Sequence, residues 1–200
     1  RPRNPTAPEL AQLEALQRDF LRLVAAELSE KCKEGLKFMW GIIATYRMTN
    51  RPMPSQPSQY VPGILGPFRA FLEGREAELD AVARTALVQA TADAVSDRFN
   101  EVAADLLQTV AQTDASLKKL KKQPGAAGAG GSDADKMRAQ LFLDVEEFGR
   151  ELVAVGAQVQ GPGNAFQRLL ESVHPPLLPA GGGEGGAPSH CSRGAQRVLR

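Results

Sequence analysis

The stretch EAELDAVARTALVQATADAVSDRFNEVAADLLQTVAQTDASLKKLKK, Glu76 to Lys122, decides the fold. Apolar residues recur at Leu79, Val82, Leu87, Ala90, Val95, Phe99, Val102, Leu106, Val110, Leu117 and Leu120. Most steps are three or four, which sets the side chains on one face of an α-helix. Neither proline nor glycine interrupts the run between Arg75 and Gln123. An unbroken helix of this length runs about 65–70 Å, whereas the mean helix has about three turns. Its own sequence neighbours cannot cover it, so it needs other helices or a partner chain along its length. The stretch therefore predicts a strut. Glu73, Glu76, Glu78 and Asp80 at its start, and Lys118, Lys119, Lys121 and Lys122 at its end, suit the helix macrodipole.

Upstream, Thr6 is the expected N-cap of a helix entered through Pro8 or Glu9. Its apolar face reads Leu10, Leu13, Leu16, Phe20, Leu23, Val24 and Leu28, and Gly35 marks a break. Leu36 to Met48 is apolar on most sides, which implies deep burial or cover by a partner. Phe38, Met39 and Trp40 are the candidate anchors there, because aromatic and Met side chains are enriched in interface cores. Pro52, Pro54, Pro57 and Pro62 predict an extended linker over 49–62. Helix resumes over Ser58 to Leu72, with Pro67 kinking or splitting it, and Gly74 turns the chain.

Downstream, 123–131 reads as a flexible loop. Ser132 and Asp135 have capping-box spacing before a helix carrying Met137, Leu141, Val145, Phe148, Leu152 and Val155. That helix ends near Gly156, Gly161-Pro162-Gly163 turns, and a short helix spans Ala165 to Val173. The Gly/Pro-rich remainder, 174–200, reads as disordered. The expectation is an all-α, elongated bundle of five or six helices over 1–160, with a short helix and tail over 161–200.

Composition narrows the chemistry. The 200 residues carry a net charge of +1, with 42% hydrophobic and 6% aromatic residues. No bulk field favours nucleic acid, and no apolar run reaches the ~20 residues of a membrane span. The chain opens Arg1-Pro2-Arg3, which predicts a fragment of a longer protein. Cys32 and Cys191 follow no metal spacing and read as free thiols. His190 and Cys191 adjoin in the tail without the rigid frame a nucleophile–base pair needs. Gly128 to Ser132 lacks the strand and lysine of a phosphate loop. Asp93 with Asp97, and Glu101 with Asp105, read as a solvated helix face. No catalytic, cofactor-binding or metal residue is expected, and no small-molecule substrate. The basic run Lys118 to Lys122 completes a helix C-terminus, or meets anionic lipid or an acidic partner.

Three segments carry a resemblance. They are Tyr46-Arg47-Met48-Thr49-Asn50 with Pro54, Pro57, Tyr60 and Val61; Ser116 to Lys121; and Ser132 to Glu146, SDADKMRAQLFLDVE. In this order and spacing the chain, over about 46–156, resembles the C-terminal domain of conserved oligomeric Golgi complex subunit two. The resemblance implies a non-catalytic helical subunit of a Golgi vesicle-tethering complex. It further implies peripheral attachment to the cytoplasmic side of the Golgi membrane and a role in retrograde transport and glycosylation homeostasis. Other subunits of the complex, SNAREs, Rab GTPases and golgins are the partner classes it suggests. The rival readings are an amphipathic membrane-surface protein, a coiled-coil scaffold of another tether, and an enzyme.

Overall fold

The computed structural model describes residues 6–75, 78–120 and 132–174, with the backbone alone at 117–120. The expected loop 123–131, the tail 175–200, Lys121 and Lys122 lie outside the described residues. All regular structure among the described residues is helical: α1 Ala7–Lys33, a 3-10 helix Glu34–Trp40, α2 Gly41–Tyr46, α3 Val61–Ile64, α4 Gly66–Glu73, α5 Ala81–Leu120, α6 Asp133–Ala154 and α7 Ala165–Val173. The all-α bundle expected from the sequence is what the chain forms. Its pieces are more numerous because the helices on both sides of α3 are short.

Helix α5 is the spine, 40 residues long or about 60 Å, and α1, the 3-10 helix, α6 and α7 all pack on it. It starts at Ala81, later than the periodicity alone suggests. Asp80 Oδ1 accepts the Ala83 N–H at 2.7 Å, so this carboxylate caps the helix. Glu73, Glu78 and Asp80 therefore precede the helix, and its first turn holds no acid. Leu87, Val95, Phe99, Val102 and Leu106 face the core as expected, whereas Val82 is exposed.

The local signals upstream and downstream are realised in detail. Glu9 reaches back to the Thr6 N–H at 2.6 Å. Pro67 splits the segment at Leu65, where α3 gives way to α4. Ser132 and Asp135 form the capping box, with Ser132 Oγ accepting the Asp135 N–H at 3.1 Å. Helix α6 ends in a Schellman turn: Ala157 N–H donates to Leu152 O at 3.0 Å, Gly156 N–H donates to Val153 O at 2.9 Å, and Gly156 has φ 91°. Asn164 caps α7 through the Gln167 N–H at 3.1 Å.

At Gly35 the α-helix gives way to 3-10 geometry, the break expected there, without the chain turning away. A Cβ there would lie 3.3 Å from Ile64 Cα, so the glycine lets α3 approach. The helix tightens to 3-10 geometry around it and continues into α2. Three phenylalanines link α5, α6 and α7: Phe99 and Phe148 rings lie 5.2 Å apart, and Phe148 and Phe166 6.3 Å. Helix α7, which the sequence places beyond the main domain, shares this core. Gln89 fastens the connection before it, donating to Gln158 O at 3.2 Å and accepting Gln158 N–H at 3.0 Å.

Close approach of α6 and α7 rests on Gly149, where a Cβ would stand 2.4 Å from Phe166 Cζ. Gly149→Ala should therefore destabilise the fold by about 1–3 kcal/mol, the ordinary cost of overpacking. Thermal denaturation followed by circular dichroism checks this. An unchanged melting temperature would mean the Phe166 ring swings aside freely.

Candidate interaction surfaces

The extended segment between α2 and α3 is held by a buried polar node on α6. Gln140 and Asp144 stand one turn apart, both buried. Asp144 Oδ1 accepts the Ser58 N–H at 2.6 Å and the Gln140 amide at 2.9 Å. Its Oδ2 accepts the Tyr60 hydroxyl at 3.0 Å. Gln140 also donates to Gln56 O at 3.0 Å, and its Oε1 accepts the Tyr46 hydroxyl at 2.8 Å. Prolines leave this segment no helix or sheet in which to satisfy its backbone, so side chains of α6 do so instead. Burial raises the Asp144 carboxyl above its usual range, against the pull of its neutral donors. Burial and the Asp144 charge together push the Tyr60 phenol up strongly.

The Tyr46-Arg47-Met48-Thr49-Asn50 word is the turn that starts this segment. Met48 adopts φ 55°, unusual for a residue with a side chain. Its N–H donates to Asp133 Oδ2 at 2.9 Å, in the first turn of α6. Two of the segments that carry the resemblance thus meet in space, 85 residues apart along the chain.

The expected anchors divide. Phe38 and Trp40 are exposed, at 60% and 41%. Met39 is not a surface contact: it lies in the core, because the 3-10 turn points it inward with Leu36. Phe38 borders a shallow groove with Ile42, Thr45, Tyr46, Ser58 and Tyr60, beside the polar node. Lys118 and Lys119 fall in the last turn of α5. The α1 face is the larger departure. Leu10, Leu13, Leu16, Phe20 and Leu23 are all exposed, and α1 buries nothing before Ala25. Periodicity identifies an apolar face but not what covers it.

The remaining chemistry is structural. Cys32 is buried, and burial pushes its thiol up to about 11, which keeps it protonated at neutral pH. His174 packs edge-on against Phe142 at 5.4 Å. Among the described residues no cluster of three His, Cys, Asp or Glu side chains is placed to hold a metal ion. No described helix is long and apolar enough to cross a membrane. The node itself was readable in part: positions 140 and 144 lie on the same helical face as Met137, Leu141 and Phe148, where polar residues need partners.

The family model described as "COG complex component, COG2, C-terminal" matches residues 7–145. The chain belongs to this family. The COG2 match begins with the first residue of α1 and ends one residue beyond Asp144, so it contains every member of the polar node. Among curated proteins the chain is similar to conserved oligomeric Golgi complex subunit 2 of Arabidopsis thaliana, 40% identical over 64% of this chain and 18% of that protein. It is 31% identical to the Dictyostelium discoideum protein of that name over 64% of this chain and 15% of the relative. The human protein is 30% identical over 75% of this chain and 21% of its own length. The chain thus spans about a fifth of the length of the curated COG2 relatives it matches. No solved structure matches it.

Proposed function

We propose that the chain is the C-terminal helical domain of a non-catalytic subunit of a Golgi vesicle-tethering complex. The family match over 7–145 is the observation that carries this reading. The build of the molecule supports it. A spine of about 60 Å with helices laid along it holds surfaces at fixed separation, and its buried polar groups fasten the fold rather than face a substrate. In this reading the domain acts in intra-Golgi retrograde transport, and so in keeping glycosylation enzymes in their cisternae. It works on the cytoplasmic side of the Golgi membrane as a peripheral component.

Its partners are the other subunits of the complex first, with SNAREs, Rab GTPases and golgins as further classes. Phe38 and Trp40 are the exposed aromatic candidates for partner contact. Lys118, Lys119, Lys121 and Lys122 form a basic run for an acidic partner segment or lipid headgroups. Affinity purification of the tagged chain from cells, with mass spectrometry and Golgi imaging, tests the reading. Copurification with the other subunits and a Golgi pattern are expected. Recovery of none of them, with a diffuse cytosolic pattern, would refute it.

A further inference from the structure

Helix α7 lies in a seam between α5 and α6, and the seam outlasts the helix. On α5, Asp97, Asn100, Ala104, Leu107 and Ala111 follow one another by steps of three and four, so they share one face. The first two hold α7: Arg168 donates to Asp97 Oδ1 at 2.7 Å, and Ser172 Oγ donates to Asn100 Oδ1 at 2.6 Å. On α6, Gly149, Val145, Phe142 and Arg138 form the facing line, by steps of four, three and four. Gly149 meets Phe166 at the start of α7, and Phe142 meets His174 just past its end. Helix α7 therefore runs parallel to α5 and antiparallel to α6. About one turn further on, the same two lines border an open groove of about 330 Å³. Its walls are Leu107, Val110, Ala111 and Ala115 of α5 and Ala134 and Arg138 of α6. Leu107 and Val110 are only partly buried there.

We propose that the run after His174, Pro175-Pro176-Leu177-Leu178-Pro179, lies along this groove and closes it with the side chains of Leu177 and Leu178. The direction suits. His174 has φ −54° and ψ 128°, so the backbone leaves α7 extended, as it does before a proline. The reach suits as well. A polyproline II strand rises about 3.1 Å per residue, which brings Leu177 about 9 Å and Leu178 about 12 Å past His174. Along α6, Arg138 and Ala134 lie about 6 and 12 Å past Phe142. Along α5, Ala111 lies about 16 Å past Asn100, and Leu178 falls about 15 Å past Ser172. Among the described residues of the lining, Asp114 and Arg138 are charged, one of each sign, and the run itself carries no charge. Its three prolines hold the strand extended beforehand, which lowers the cost of ordering it.

Other occupants fit less well. The segment 121–131 joins the ends of α5 and α6 nearest the groove, but from Gly125 to Gly131 it has no side chain larger than a methyl group. It has little to bury in an apolar cleft. An apolar segment of another polypeptide would compete with one tethered a few residues away, whose effective concentration is of the order of millimolar. The glycines that make the C-terminal stretch read as disordered begin at Gly181, beyond this run. The proposal rests on the seam alone and holds whichever assembly the chain joins.

Disulfide trapping in the full chain tests this. Cys191→Ser removes the thiol near the C-terminus, and Cys32 is buried and does not compete. In that background Ala111→Cys with Leu178→Cys sets a thiol on each side of the contact. Thr109→Cys with Leu178→Cys is the control, because position 109 lies roughly 160° round the helix and faces Ile43 of α2. Both α5 positions are exposed, so the reduced variants should melt like the native chain. With oxidised glutathione the Ala111→Cys pair should close about tenfold faster than the control pair, and within one chain, as read by mass and by a nonreducing gel. In the native background, Leu177→Ser with Leu178→Ser should lower the melting temperature by about 3–8 °C, the effect of losing two half-buried leucines. Equal closure of the two pairs would overturn the proposal and leave the groove to a partner from outside the chain. An unmoved melting temperature in the serine variant would overturn it too. So would closure mainly between two chains, which assigns the groove to the C-terminal stretch of a second copy.

Discussion

Asp144→Ala should lower the stability of the domain by about 3–5 kcal/mol, because the neutral donors its carboxylate satisfies are left buried without an acceptor. The alanine strands the Ser58 N–H, the Tyr60 hydroxyl and one bond of the Gln140 amide in a buried place. Each stranded donor costs about 1–3 kcal/mol before relaxation. At the usual conversion the melting temperature falls by roughly 10 °C. Asp144→Asn retains an acceptor for Ser58 and should lose less than half as much. The pH dependence distinguishes the two species. Burial raises the folded carboxyl above its ordinary value, so the folded state holds its proton longer than the unfolded one. The contribution of Asp144 to stability is thus greatest below the unfolded pKa. It declines as pH climbs from there through the folded pKa, then levels. The difference in stability between native chain and Asp144→Asn should change over that window and stay flat above it. Denaturant melts at a series of pH values measure this, and a difference independent of pH would contradict the burial argument.

Phe99→Ala should cost about 3–5 kcal/mol. Phe99 is fully buried at the middle of the spine, against Phe148 at 5.2 Å. Removing the ring leaves a cavity where α5 and α6 meet and also deprives Phe148 of an aromatic contact worth about 0.5–1.5 kcal/mol. Phe99→Asp goes further, because an unpaired carboxylate at that position has no donor to accept from, and it should abolish cooperative unfolding near 25 °C. Urea denaturation with helicity as readout checks both. A variant as stable as the native chain would place this face of α5 in water.

Much of the fold was legible because its signals are local. Proline at 67 splits a helix wherever it sits. Ser132 and Asp135 satisfy each other across one turn, and the α7 bounds follow from Asn164 and the residue before Pro175. The start of α5 was less legible, since the apolar period extends through Leu79 and only the Asp80 side chain decides where the helix begins. What local signals cannot give is the partner of a face. Met39 and Phe38 are neighbours of similar character, yet one is core and the other surface, because a 3-10 turn rotates them by 120° rather than 100°. The α1 leucines read as an ordinary core face and are not. Gln140 and Asp144 share the face of Met137, Leu141 and Phe148, but nothing local says that the Pro-rich segment supplies their partners.

That segment has a consequence for how the protein is made. Ser58 waits for Asp144, 86 residues later, and Tyr46 waits for Gln140, 94 residues later. At a synthesis rate of about 5–20 residues per second, the wait on the ribosome is roughly 4–20 s. Until then the Tyr46 and Tyr60 hydroxyls and the Ser58 amide donate to water alone, and the hydrophobic side chains of α3 have no α6 to cover them. The newborn N-terminal half is therefore the state in which chaperones have most to bind.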